Sequence, residues 1–284
     1  MRVIRKLKDG LTVRYFTNTI MAILAGIAPS LSPPALADDA PFLGTDPASV
    51  MGQGEKAVQQ WVSFAHGHSG ESHSGFETQT EFDYGVSDHL QLSLSLLYDW
   101  TRSKPSGRPA NTTDLVGVQS EAIWQVASAD KEPLGLAIAV DPAFDPSSRG
   151  LAVRLLFTTY IAHFENVLNI NFENNWDKDS ASRWQSSSAI IFNYGLAHAL
   201  DKHWTIGVEF GNESAFDSLL TGVNLGSIAS TFYAGPTLQY ACAFATISFG
   251  VETQLPISSG DNIANGYTAD AERWRMALRL ARSI

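Results

Sequence analysis

Residues 88 to 100 read DHLQLSLSLLYDW, with Leu90, Leu92, Leu94, Leu96, Tyr98 and Trp100 on every second position. Gln91, Ser93, Ser95 and Asp99 lie among the positions between them. A period of two marks a β-strand with one apolar and one polar face. The same alternation predicts strands over 56–66, 75–84, 89–100, 114–127, 134–143, 150–162, 166–176, 184–196, 203–213, 227–240, 243–255 and 272–284. In a soluble protein the leucines would point into a core. In a membrane barrel they would face lipid, and the polar residues would face a lumen.

Connections, lysines and aromatics favour the second arrangement. Even-numbered links are short, as at Gly85 to Asp88, Ala197 to Lys202 and Ala241-Cys242, whereas Thr101 to Thr113, Ser214 to Leu225 and Pro256 to Ala271 are long. Outer-membrane barrels combine short periplasmic turns with longer outer loops in this way. Beyond residue 37 the lysines are Lys56, Lys104, Lys131, Lys178 and Lys202, all in connections or at strand edges. A soluble barrel would carry lysine on its watery strand faces. Tyr84, Trp124, Tyr194, Trp204 and Tyr240 fall at one set of strand ends. Tyr98, Trp100, Trp176, Phe210 and Trp274 fall near the other. Two rings of amphipathic aromatics match two membrane interfaces. The fold expected is all-β: a single 12-stranded antiparallel up-and-down transmembrane β-barrel in a Gram-negative outer membrane.

The N-terminus has the order of an export signal. Basic Arg2, Arg5, Lys6, Lys8 and Arg14 precede an apolar stretch from Phe16 to Leu31 and then Ala35-Leu36-Ala37. Cleavage is expected between Ala37 and Asp38. Residues 38–54 would then be a periplasmic segment or a plug, and residues 55–284 the barrel. The segment removed holds five basic residues and one acid, so formal charge moves from −10 to −14. That acidity argues against nucleic acid as a partner. The only cysteine, Cys242, cannot form an internal disulfide.

The stretches EFDYGVSDHLQLSLSLLY (81–98), FNYGLAHALDKHWTIGVEF (192–210) and FYAGPTLQYACAFATISFGVETQL (232–255) resemble outer-membrane barrels of the MetA-type phenol-degradation pathway family. The likeness covers most of residues 45 to 284 and rests on turn and strand motifs. It implies an outer-membrane protein that admits small organic molecules, and it transfers no functional residue. The final strand, WRMALRLARSI, resembles the strand read by the barrel-assembly machinery, though it ends on Ile284 rather than an aromatic. Outer-membrane lipid, that machinery and a small solute are the partners implied.

Alternation sends Glu77, Glu81, Asp83, Asp99, Glu121, Asp141, Glu173, Glu209, Glu213 and Glu252 into the lumen, with Arg154, Arg273, Arg275 and Arg279. Arg275 and Arg279 would reach Glu252 on one side and Glu77 or Glu81 on the other, because a guanidinium meets a carboxylate with two hydrogen bonds. Such a lumen is either a constriction that sorts solutes by charge or a salt-bridge network that fills a narrow barrel. In the first outer loop, His66, His68 and His73 are candidate metal ligands, and a solvated polar loop is the plainer reading. No G-x-S-x-G, phosphate loop or zinc-protease motif is present, so neither enzyme activity nor a cofactor is expected. The function expected is a passive path for small solutes, organic or cationic ones among them. The alternatives are a closed structural or surface-binding barrel and an outer-membrane hydrolase.

Overall fold

The computed structural model describes residues 41–67, 73–103, 110–178, 182–217, 219–220, 229–260, 263–264, 267–268 and 272–284. The export segment, with Ala37 and Asp38, lies outside the described residues. Twelve long strands follow in chain order. They are β1 (Lys56–His66), β2 (His73–Ser87), β3 (Leu90–Ser103), β4 (Ala110–Ala127), β5 (Gly135–Phe144) and β6 (Ser148–Ile161). The second half comprises β7 (Phe164–Lys178), β8 (Trp184–Ala199), β9 (Trp204–Phe216), β10 (Ala229–Cys242), β11 (Ala245–Gln254) and β12 (Trp274–Ser283). Each strand pairs antiparallel with its chain neighbour, and β12 also pairs with β1, so the sheet closes on itself. No helix long and apolar enough to cross a membrane occurs among the described residues.

Side-chain parity assigns the faces. In β3, Leu92, Leu94 and Leu96 point outward and are 44%, 47% and 48% exposed, while Ser93 and Ser95 point inward and are 5% and 2% exposed. The same contrast runs around the wall, with Phe82, Phe172, Phe192, Ile206, Phe249 and Leu278 also exposed. A continuous apolar belt on the outside is the reverse of a soluble barrel.

Several ladders run past the ends that the alternation predicts. β2 begins at His73, β3 continues to Ser103, β4 begins at Ala110 and β7 runs to Lys178. Apolar alternation reports only where one face meets an apolar medium, whereas backbone pairing needs no side-chain chemistry. Beyond the belt, outward-pointing Asn174 instead bonds Ser186 and Ser188 on the neighbouring strand. The 256–271 link also differs from a plain loop: Ser259–Gly260 pairs with β10, and Ile263–Ala264 pairs with Tyr267–Thr268.

Residues 41–54 lie inside the barrel, toward the rim where β1 starts and β12 ends. Three small apolar clusters line that part of the wall, and each includes a residue of this segment. Phe42 packs with Val167 and Ala197, and Met51 with Ala57 and Ala281. Ala48 packs with Ile123, Ala137, Ala139 and Leu156, flanked by Val50. Glycines on the inner wall make room for it. A Cβ at Gly195 would lie 2.7 Å from the Phe42 ring, and one at Gly250 would lie 2.5 Å from Leu43 Cδ1.

Candidate functional site

The inserted segment has the irregular backbone of a loop, so its N–H and C=O groups need partners from the wall. Inward-facing side chains of six strands supply them. From β9, the Glu209 carboxylate accepts the backbone N–H of Leu43 and of Gly44 and the Thr45 hydroxyl, all at 2.9 Å. Asn193 of β8 donates to the Gly44 carbonyl at 2.7 Å. Asn169 of β7 accepts from the Asp46 N–H at 3.0 Å and donates to the Asp46 carbonyl at 3.0 Å. Thr158 of β6 accepts from the Ala48 N–H, and Gln125 of β4 donates to the Ala48 carbonyl. Gln91 of β3 accepts from the Met51 N–H at 3.0 Å. Finally, the Gly54 N–H donates to the Gly85 carbonyl, just before the chain enters β1. A segment held at this many points is a built part of the lumen.

A second anchor is ionic. Arg154 on β6 pairs with Asp46 of the segment, with Glu121 on β4 and, through Nε at 2.7 Å, with Asp141 on β5. One guanidinium thus ties the segment to two carboxylates of the wall. Alternation along the strands identified Arg154, Glu121 and Asp141 as inward-facing; Asp46, being in a non-strand segment, carried no such signal.

Strand parity points Glu81, Asp83, Arg275 and Arg279 inward, and their partners are drawn from the inner wall. Glu81 accepts from Ser95 at 2.6 Å and from Gln79 at 2.9 Å. Asp83 accepts from Gln59 at 3.0 Å. Arg275 shares a rung with Glu252, yet its guanidinium lies 3.5 Å from both Glu213 and Glu272 and 3.8 Å from the Tyr233 ring centre. Arg279, 1% exposed, lies over Trp61 at 5.0 Å and donates to Ser248 at 3.5 Å. Glu252 lies opposite Arg275 on the β11–β12 ladder, and both it and Glu77 bound the same cavity as Arg275. Arg275 reaches past its rung neighbour to Tyr233 on β10 and Glu213 on β9, whereas Arg279 meets Trp61 and Ser248, its own rung neighbours on β1 and β11.

Beside the segment, the lumen retains open space. One cavity of about 310 Å³ is bounded by Asp46, Gln59, Glu81, Asp141, Asn171 and Glu173 among others. Another of about 400 Å³ is bounded by Glu77, Asp99, Glu252, Glu272 and Arg275. A smaller one of about 150 Å³ adjoins Glu209, Glu213 and Tyr233. Of the loop histidines, His66 bonds Ser74 at 2.9 Å and stacks near Phe64. His68 lies outside the described residues, as does the side chain of His73. No group of three His, Cys, Asp or Glu able to hold a metal ion occurs among the described residues.

A closed antiparallel barrel with an apolar exterior and a charged interior has the architecture of outer-membrane channels and porins. Residues 142–267 match the family model described as "Putative MetA-pathway of phenol degradation", the family that the strand and turn motifs resemble. Residues 34–150 match a family of unknown function, DUF6662. The two matches overlap over residues 142–150, within the β5–β6 hairpin, so together they run along one continuous sheet. Among solved structures, the COG4313 outer membrane channel from Pseudomonas putida F1 aligns with TM-score 0.64 and 10% identity, over 83% of this chain and 97% of that one. The β domain of the Bordetella autotransporter BrkA aligns with TM-score 0.52 and 11% identity, over 82% and 100%. The NanC porin aligns with TM-score 0.50 and 11% identity, over 81% and 98%. At these identities the likeness is one of fold. No curated protein matches the sequence.

Proposed function

We propose that the barrel spans a Gram-negative outer membrane and gives small polar solutes, cations above all, a passive path beside the inserted segment. The observation that carries this reading is the division of faces: an exposed belt of leucine, isoleucine and phenylalanine surrounds an interior of carboxylates, amides and hydroxyls. Hydrocarbon suits the first and water the second. Among the described residues, the two charged cavities are bounded by nine acids and two arginines, so a permeating cation meets a favourable field and an anion an unfavourable one. The solved channels of the same fold support the reading at the level of architecture.

Residues 41–54 act as a plug that narrows this path. The protein reconstituted into planar bilayers is expected to give small conductance steps with cation over anion selectivity. Absence of steps, together with absence of solute-dependent liposome swelling, rejects the reading. A second reading, a sealed structural barrel, draws on the tight hold of Glu209 and Arg154 on the plug. Under it, conductance would arise only after residues 41–52 are removed.

A further inference from the structure

On the outer face of the wall, strands β5 to β8 carry a groove in which apolar surface and positive charge are sorted by height. The rungs set the order. Val140, Val153, Phe172 and Ile190 share one outward rung within the apolar belt. Pro142 and Leu151 share the next outward rung, and Phe144, Arg149 and Trp176 the one beyond it. Farther still, Lys178 pairs with Trp184 at the rim opposite the one where β1 starts. Pro142, Phe144, Leu151, Trp176 and Trp184 bound a groove of about 440 Å³ together with Arg149. Its floor is therefore continuous with the belt, and its upper end is cationic.

Two cations converge on one ring there. The Arg149 guanidinium and the Lys178 ammonium each lie 4.9 Å from the centre of the Trp184 ring. They come from β6 and β7, and the ring from β8. Each contact with an indole face is favourable, but two positive charges gathered at one ring repel each other. No carboxylate relieves this. Among the described residues neither cation forms a salt bridge, and Lys178 donates to the Pro146 carbonyl at 3.2 Å. Asp145, in the β5–β6 turn, is taken up by its own loop, where it accepts from the N–H groups of Ser147 and Ser148 and from the Ser147 hydroxyl. Asp177 has the opposite parity to Lys178 and belongs to the inner face.

These features select an occupant. A small soluble anion would pair with the cations and leave the apolar floor uncovered, and an uncharged lipid would do the reverse. An amphiphile with a phosphate at the level of the interface meets both. Guanidinium and ammonium donate charge-assisted hydrogen bonds to phosphate oxygens, and basic residues beside a membrane surface recognise anionic headgroups in this way. We infer that this groove is a docking site for lipid A, the phosphorylated glycolipid of the outer leaflet, with Arg149 and Lys178 on a phosphate and acyl chains along Pro142 and Leu151. The inference rests on the reading that the barrel spans an outer membrane with its terminal rim in the periplasm. It does not depend on conduction.

The test is native mass spectrometry of the full barrel folded in detergent micelles and titrated with bis-phosphorylated lipid A. Lipid A stripped of its phosphates and phosphatidylglycerol are the comparators, and inorganic phosphate is the competitor. Lipid A is expected to add saturably, both comparators about tenfold or more weakly, and excess inorganic phosphate is expected not to displace it. Arg149→Gln and Lys178→Gln are each expected to weaken the adduct by about tenfold, whereas Arg149→Lys retains most of it. Lys131→Gln, at the opposite rim, is expected to change nothing. Heat-dependent gel mobility verifies that each variant is folded, and either glutamine variant alone decides the matter. No adduct, equal uptake of either comparator, displacement by inorganic phosphate, or indifference to the glutamine substitutions overturns the site. A barrel that conducts but takes up no lipid A defeats this site alone. One that binds lipid A but never conducts defeats the passage reading alone.

Discussion

Ala162 sits in the two-residue turn between β6 and β7 with φ of 58°, in the left-handed region that a Cβ disfavours. Glycine has no such penalty, so Ala162→Gly is expected to stabilise the folded barrel by about 1 kcal/mol. The urea midpoint of unfolding in micelles measures it; an unchanged or lower midpoint contradicts the strain. Asp201, in the turn between β8 and β9, gives a pH effect of known sign. Backbone N–H groups of His203 and Trp204 donate to its carboxylate and hold its pKa below the ordinary range. Because the folded value is the lower one, the turn's contribution is complete above the unfolded pKa of about 3.9. It disappears as pH falls through the folded value. In Asp201→Ala the acid side of the stability profile is expected to flatten, and an unaltered profile counts against it. Outward-pointing Gln60 is another single-residue case. Its amide bonds Thr78, Thr80 and the backbone of the Trp61–Gln79 rung, so a polar side chain on the apolar face keeps its groups paired.

At the scale of elements, the informative pair is the wall and the plug. The inner wall near the terminal rim carries Ala57, Ala137, Ala139, Leu156, Val167, Ala197 and Ala281. Those residues are out of place in a watery lumen and in place against Phe42, Ala48 and Met51. The pattern was legible in the sequence as small apolar residues on the polar phase of the strands. Only the pairing of distant strands, however, shows that they converge on one segment. Glu209→Ala removes the acceptor of three donors and is expected to loosen the plug by about 2–3 kcal/mol. Gly195→Val evicts the Phe42 ring by steric overlap. Both are expected to raise single-channel conductance and to make residues 41–54 more sensitive to added protease. Conductance and cleavage that match the unaltered barrel would show that the hold is of no consequence.

For the whole molecule, the decisive quantity is the sign of the interior. The sequence reads as ten inward acids against four inward arginines, and the structure adds Asp46 and Glu272 to the acids that bound the interior cavities. What the fold adds is placement. Arg154 lies at the centre of three carboxylates, and Arg275 and Arg279 lie over the rings of Tyr233 and Trp61. These three cations are thereby committed, and acids dominate the lining of the largest interior spaces described. Cation selectivity in bilayers is therefore expected to fall as salt rises and screening shortens. Selectivity for anions, at any salt, contradicts the electrostatic account.

The chain by itself determined the strands, their number, the closed antiparallel order and the direction of nearly every side chain. A period of two is a local property, and each strand states it without reference to any other. It did not determine where ladders stop, because backbone pairing continues after the apolar medium ends. Nor did it determine which charge meets which, or that residues 41–54 occupy the lumen. Those contacts join Asp46 to Arg154 and Leu43 to Glu209 across more than a hundred residues of chain. Only closure of the sheet brings such positions within reach of one another.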